Sequence, residues 1–218
     1  MAGRQIAVIG AGLMGSNIAL DFARAGFSVT QTDTSVEQQN RCTSVQAAAA
    51  AMLHTAGLSP DPPEVVLSRI TPCRGLADTV CEADLVIEAI SEDLERKQRL
   101  FEQLAFYSPS DAVLASNTSS FMPSELAGWT GRAERVLVTH YFNPAHLIPL
   151  VELVPGPETD PRVIEELKTL YRDLGKHPVV VRREVPGFIG NRLQFALLRE
   201  ALALVESGVA SPEDVDTV

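Results

Sequence analysis

Short apolar runs alternate with longer amphipathic stretches through most of the chain. Gln5-Ile6-Ala7-Val8-Ile9 is a strand-like run closed by a glycine. Residues 13–25 carry helical periodicity and stop at Gly26, a residue suited to the left-handed turn that ends a helix. Residues 27–32 predict a second strand, which ends at Asp33. Residues 35–57 predict a long alanine-rich helix, and Asp61-Pro62-Pro63 opens a short one with prolines near its start. Further strands are predicted at 69–71, 83–89, 112–116 and 136–140, with an amphipathic helix over 91–106. Such alternation implies an α/β fold with a mostly parallel sheet and helices on both faces.

The pattern changes after residue 149. Residues 150–154 and 179–182 predict late strands flanking one helix, 161–174. Val185-Pro186-Gly187 breaks the chain, and residues 188–207 then predict a long helix that is apolar nearly all round. Two units are expected: 1–186, and 187–218 as the first helix of an all-α C-terminal domain. Ser211-Pro212-Glu213-Asp214 has the grammar of another helix start, with a serine cap, a proline and acids in the first turn. Val218 follows within one turn, so the second unit reads as cut short.

Composition narrows the partners. The chain has 218 residues, 45% of them hydrophobic, enough to bury a core without disulfides. Cys42, Cys73 and Cys81 are odd in number and form no CxxC. They read as free thiols in a reducing, cytoplasmic setting, and no metal site is assigned. No apolar run approaches the ~18 residues of a membrane span. The first strand begins too early to leave room for a signal peptide. A net charge of −10, with Lys97, Lys168 and Lys176 the only lysines, argues against nucleic acid or anionic lipid as partner. A small-molecule substrate is expected instead.

Gly10-Ala11-Gly12-Leu13-Met14-Gly15 is a GxGxxG, weak by itself. Here it follows a predicted strand, opens a predicted helix, and precedes a second strand that ends in an acid. This is the order of a doubly wound, Rossmann-type dinucleotide site. Gly10 permits the tight turn, Gly12 lets the backbone approach a pyrophosphate, and Gly15 lets helix and strand pack closely. Asp33 can accept hydrogen bonds from both ribose hydroxyls, and its charge repels a 2′-phosphate. NAD is therefore expected over NADP, and FAD, which uses a similar fingerprint, is the weaker alternative.

Two more clusters follow strand ends, where ligands of such sheets bind. They are Ser116-Asn117-Thr118-Ser119-Ser120 and His140-Tyr141-Phe142-Asn143-Pro144. Leu150-Val151-Glu152-Leu153-Val154 puts a carboxylate inside an apolar strand. If that strand returns beside the one before it, Glu152 can face His140. A carboxylate there fixes the imidazole's tautomer and stabilises its charged form, as a base for hydride transfer requires. Each cluster alone also has a structural reading: a turn, a satisfied core histidine, an edge glutamate. His54, His146 and His177 keep that reading.

Taken together these blocks resemble the L-3-hydroxyacyl-CoA dehydrogenase family. The resemblance runs from the GxGxxG through Val86-Ile87-Glu88-Ala89-Ile90-Ser91-Glu92, the Ser-Asn-Thr-Ser block and His140-Tyr141-Phe142-Asn143-Pro144. It continues to Val185-Pro186-Gly187-Phe188-Ile189-Gly190-Asn191-Arg192. It implies oxidation of a 3-hydroxyacyl thioester with NAD, His140 as general base and Glu152 as its partner. It implies that Ser119 and Asn191 bond the reacting oxygen, and that Glu92, Lys97, Ser119 and Asn143 lie along the nicotinamide half of the cofactor. A homodimer is also implied. Two features depart from the pattern. The family's second helix is usually rich in lysine, with parts that meet the CoA. Here residues 34–64 hold Arg41, no lysine, and the run 47–51 of alanines. Residues 147–155 resemble relatives that oxidise free hydroxy acids, such as L-gulonate or carnitine. A non-catalytic NAD-binding protein on the same scaffold is the remaining alternative.

Overall fold

The structure, a computed structural model, describes residues 3–218. Its sheet contains β1 (Gln5–Ile9), β2 (Ser28–Thr32), β3 (Ile70–Pro72), β4 (Leu85–Glu88), β5 (Val113–Ser116), β6 (Val136–Tyr141), β7 (Leu150–Pro155) and β8 (His177–Val180). The spatial order is β3-β2-β1-β4-β5-β6-β7-β8. β1 to β6 pair in parallel, β7 returns antiparallel to β6, and β8 runs parallel to β7. The winding direction reverses between β1 and β4, which opens a crevice at the carboxyl ends of those strands.

The helices are α1 (Leu13–Arg24), α2 (Val36–Thr55), α3 (Pro63–Leu67), α4 (Leu76–Val80), α5 (Leu94–Tyr107), α6 (Pro123–Ala127), α7 (Pro161–Asp173), α8 (Gly190–Glu206) and α9 (Pro212–Thr217). Alternate residues of the strands feed two cores. Ile6, Val8, Leu85 and Ile87 join Ile18 and Phe22 of α1, Leu53 of α2 and Leu167 and Tyr171 of α7. Ala7, Ile9, Val86 and Leu114 face the other way, onto Val80 of α4, Phe101 and Leu104 of α5 and Leu126 of α6. No helix of the described residues is long and apolar enough to cross a membrane.

Several boundaries differ from the expectation for visible reasons. The helix expected over 91–106 starts at Leu94, because Asp93 caps it by accepting from Arg96 N–H at 3.0 Å. The strand expected over 179–182 is two residues earlier. The His177 N–H donates to the Pro149 carbonyl at 2.8 Å, so pairing with β7 begins there, and Pro178 is tolerated on an edge. The helix expected from 188 begins at Gly190, since Phe188 stands at φ +49°, outside helical space. The short helices α4 and α6 were not expected. α6 opens on Pro123, and the Glu125 carboxylate accepts the Met122 N–H at 2.7 Å.

One buried cation ties the end of β6 to the helices beneath it. Lys176 lies between the Ala145 and Ile148 carbonyls and the Asp21 carboxylate, 3.1 Å away. It thereby fixes the loop after Tyr141, whose Asn143–Pro144 peptide is cis. Beyond β8 the chain leaves the sheet. α8 buries none of its residues.

Candidate active site

The turn between β1 and α1 is shaped by what it excludes. A Cβ on Gly15 would lie 2.1 Å from the Gly10 carbonyl oxygen, so only glycine lets α1 start this close to β1. Gly12 caps α1 without a side-chain hydrogen bond, and a Cβ there would meet nothing within 4 Å. Its open side faces a cleft of about 960 Å³ that Gly10, Gly12, Leu13, Met14 and Asp33 line on one side and Glu92 and Ser119 on the other. An uncapped helix start with free N–H groups and a positive dipole end suits a pyrophosphate. Asp33 is fixed at the rim. One carboxylate oxygen accepts from Ala11 N–H at 2.8 Å, the other from Ser35 N–H at 2.9 Å. Each oxygen keeps a lone pair for a ribose hydroxyl. These residues fit a dinucleotide with two free ribose hydroxyls.

A buried polar cluster braces this turn from below. Gln31 donates to the Gly10 carbonyl at 2.9 Å, and Gln46 of α2 donates to Gln31 at 2.9 Å and to the Ser16 carbonyl at 3.1 Å. Ser16 in turn donates to the Gly12 carbonyl at 2.7 Å. Burial, partly offset by the Ser16 hydroxyl, pushes the neighbouring Cys42 thiol up from its ordinary pKa.

A charged network lies under the opposite wall. Glu88 and Lys97 are both fully buried and pair at 2.6 Å. Lys97 also reaches Glu92 at 3.2 Å, and Ser116 donates to Glu88. Glu92 accepts the Thr118 hydroxyl and the Ser119 N–H. Burial would raise the Glu92 carboxyl, but the Thr118 hydroxyl, the Lys97 ammonium and the Ser119 N–H together hold it below its ordinary value. Glu92 thus sets the position of Ser119 and presents a charged edge to the cleft.

His140 and Glu152 are directly opposite in the β6–β7 ladder. Nδ1 of His140 lies 2.7 Å from Oε2 of Glu152, with both side chains buried. A carboxylate can only accept, so Nδ1 carries the proton and Nε2 keeps a free lone pair. The second oxygen of Glu152 accepts from the N–H groups of Ile189 and Gly190, each at 2.9 Å. Burial works to raise the Glu152 carboxyl. The His140 hydrogen bond and the two backbone donors outweigh it and hold the group below its ordinary value. Gly190 permits this approach, because a Cβ there would meet the Phe142 ring at 2.5 Å. Asn191 follows on the first turn of α8, and its side-chain amide donates to the Ser119 carbonyl at 3.2 Å.

The expected residues therefore fall into three groups. His140, Glu152, Ser119 and Asn191 converge through direct hydrogen bonds or adjacent residues. Gly10, Gly12, Leu13, Met14, Asp33, Glu92 and Ser119 line the cleft. Gly15 packs behind it, Lys97 is buried beneath Glu92, and Asn143 is exposed on the loop after β6. Two residues carry positions that the sequence reading gave no role. Glu88 anchors the network, and its signal was available: a carboxylate in an apolar strand, as for Glu152. Asn117 accepts the Tyr141 N–H at 2.9 Å, tying the serine-rich loop to the end of β6.

A dinucleotide cradle at the switch point of a doubly wound sheet defines a dinucleotide-binding protein. Comparison with known proteins narrows the class. Residues 5–185 match the 3-hydroxyacyl-CoA dehydrogenase NAD binding domain, and residues 187–218 match the 3-hydroxyacyl-CoA dehydrogenase C-terminal domain. The chain belongs to the 3-hydroxyacyl-CoA dehydrogenase family, a family of NAD-dependent oxidoreductases. It is 37% identical to a 5-formyl-3-hydroxy-2-methylpyridine 4-carboxylate 5-dehydrogenase of Mesorhizobium japonicum, over 98% of this chain and 69% of that protein. It is 39% identical to a lambda-crystallin homolog of Bos taurus, over 98% of this chain and 67% of that protein. Among solved structures it resembles the 3-hydroxybutyryl-CoA dehydrogenase of Escherichia coli K12, with TM-score 0.92 and 39% identity, covering 98% of this chain and 45% of that one.

Proposed function

We propose that the protein oxidises the 3-hydroxyl of an L-3-hydroxyacyl-CoA to the 3-oxo group, with NAD as hydride acceptor. The observation that carries this reading is the His140–Glu152 pair, 2.7 Å apart and buried beside the serine loop. NAD, when bound, supplies the hydride-accepting nicotinamide. His140 Nε2 takes the hydroxyl proton as the hydride leaves the substrate carbon, and the imidazolium that forms is stabilised by Glu152. Ser119 and Asn191 hold the reacting oxygen. Gly12 and the start of α1 hold the pyrophosphate, and Asp33 holds the ribose.

A free 3-hydroxy acid is a second reading, and one feature favours it. Residues 34–64 offer Arg41 alone to the several phosphate charges of CoA. The Mesorhizobium relative, by its name, acts on a pyridine carboxylate. NADH formation with L-3-hydroxybutyryl-CoA and with L-gulonate or L-carnitine, run side by side, decides between them. Turnover of the thioester alone supports the first reading, and turnover of a free acid alone supports the second. No NADH from any of them, in a chain that still binds NAD, would leave a non-catalytic role on this scaffold.

A further inference from the structure

The sheet order gives the cofactor cleft a direction. β2 and β3 lie on one side of β1, and β4, β5 and β6 on the other. Asp33 follows β2, whereas His140 lies near the end of β6. A dinucleotide whose ribose sits at Asp33 and whose nicotinamide points toward His140 must lay its adenine outward, over β2 and β3.

Arg74 stands at that outer end. The Cys73 N–H donates to the Gln31 carbonyl at 2.7 Å, carrying the β2–β3 pairing one residue further. One side-chain amide then joins the two loops: Gln39 Nε2 donates to the Asp33 carbonyl at 2.8 Å and to the Cys73 carbonyl at 3.3 Å. Arg74 therefore begins one residue from a point locked to Asp33, and it lines the same cleft. Its charge is uncommitted. Ion pairs of the described residues engage Arg4, Arg24, Arg69, Arg96, Arg99 and Arg162, but not Arg74. Leu76 and Leu100 add apolar surface to the cleft. A guanidinium is planar and weakly hydrated, and it stacks on aromatic faces in a way that an ammonium does not.

We propose that Arg74 is an adenine-binding residue, its guanidinium lying over the face of the adenine ring and closing the outer end of the cleft. This rests on NAD as the cofactor. The test is calorimetric titration with ADP-ribose, which carries adenine and both phosphates but no nicotinamide. Arg74→Ala should weaken ADP-ribose by about 3- to 30-fold, the range of an exposed to a desolvated cation–π contact. Arg74→Lys should not restore the affinity. Affinities of wild type and Arg74→Ala within twofold of each other would overturn the assignment. So would full rescue by Arg74→Lys, because a point charge would then suffice. Wild-type protein that does not bind ADP-ribose at all would instead defeat the cofactor reading on which the proposal stands.

Discussion

At the scale of single residues the proposed roles separate cofactor binding from proton transfer. Asp33→Ala removes charge-assisted hydrogen bonds to the ribose and should cost about 1.5–3 kcal/mol of NAD affinity. It should also relax discrimination against NADP, since the repelling carboxylate is gone. Equal dissociation constants before and after the change would refute this. Glu152→Gln should leave NAD binding nearly intact and lower turnover severely, because an amide keeps the shape but cannot stabilise an imidazolium. His140→Ala should lose at least the ~10²–10⁴-fold of a positioned acid–base group. The double variant should lose less than the product of the two, as groups acting as a unit do. Strictly multiplicative losses in kcat would mean that the two side chains work independently.

At the scale of elements, the carboxylates that organise the site should also show in acid stability. Glu152 bridges β7 to the start of α8, and Glu92 bridges α5's approach to the serine loop. Both are held below their ordinary value in the folded chain. The unfolded chain therefore takes up their protons first as pH falls. The stabilisation they contribute is complete above the ordinary glutamate pKa of about 4.3 and is lost below it, through the lower folded values. The melting temperature should hold from neutrality to near pH 5 and then drop. Glu152→Gln should melt lower at neutral pH but with a shallower acid decline, and parallel declines would contradict this account. Elements of this kind were largely readable in advance. Continuous apolar runs mark β1 and β4, which are buried on both faces, and a 3.6-residue period marks α7, which buries Val163, Ile164, Leu167, Leu170 and Tyr171. The pairing of His140 with Glu152 was readable only as a condition on the return of β7. The Gln31–Gln46 brace and the Glu88–Lys97 pair were not readable. Glu88 stands out as a carboxylate in an apolar strand, but no periodic pattern names the partner of a buried polar side chain, and α4 and α6 are too short to show a period.

At the scale of the whole molecule, α8 is the outlier. Leu193, Phe195, Leu197 and Leu202 are 67%, 61%, 73% and 53% exposed. An apolar surface of this kind drives association, most often around a two-fold axis. We therefore expect this 218-residue chain to form a dimer or larger species through α8. Sedimentation at micromolar concentration should show it, and Leu197→Glu should shift it toward monomer. A wild-type monomer would rule it out. The start of the same helix is joined to His140 through one carboxylate, one oxygen of which meets Nδ1 of His140 while the other accepts from the N–H groups of Ile189 and Gly190. The helix start and the imidazole are thus tethered to one group, so a change that moves the first moves the carboxylate that orients the second. A contact made far along α8 can in this way reach the imidazole without touching it.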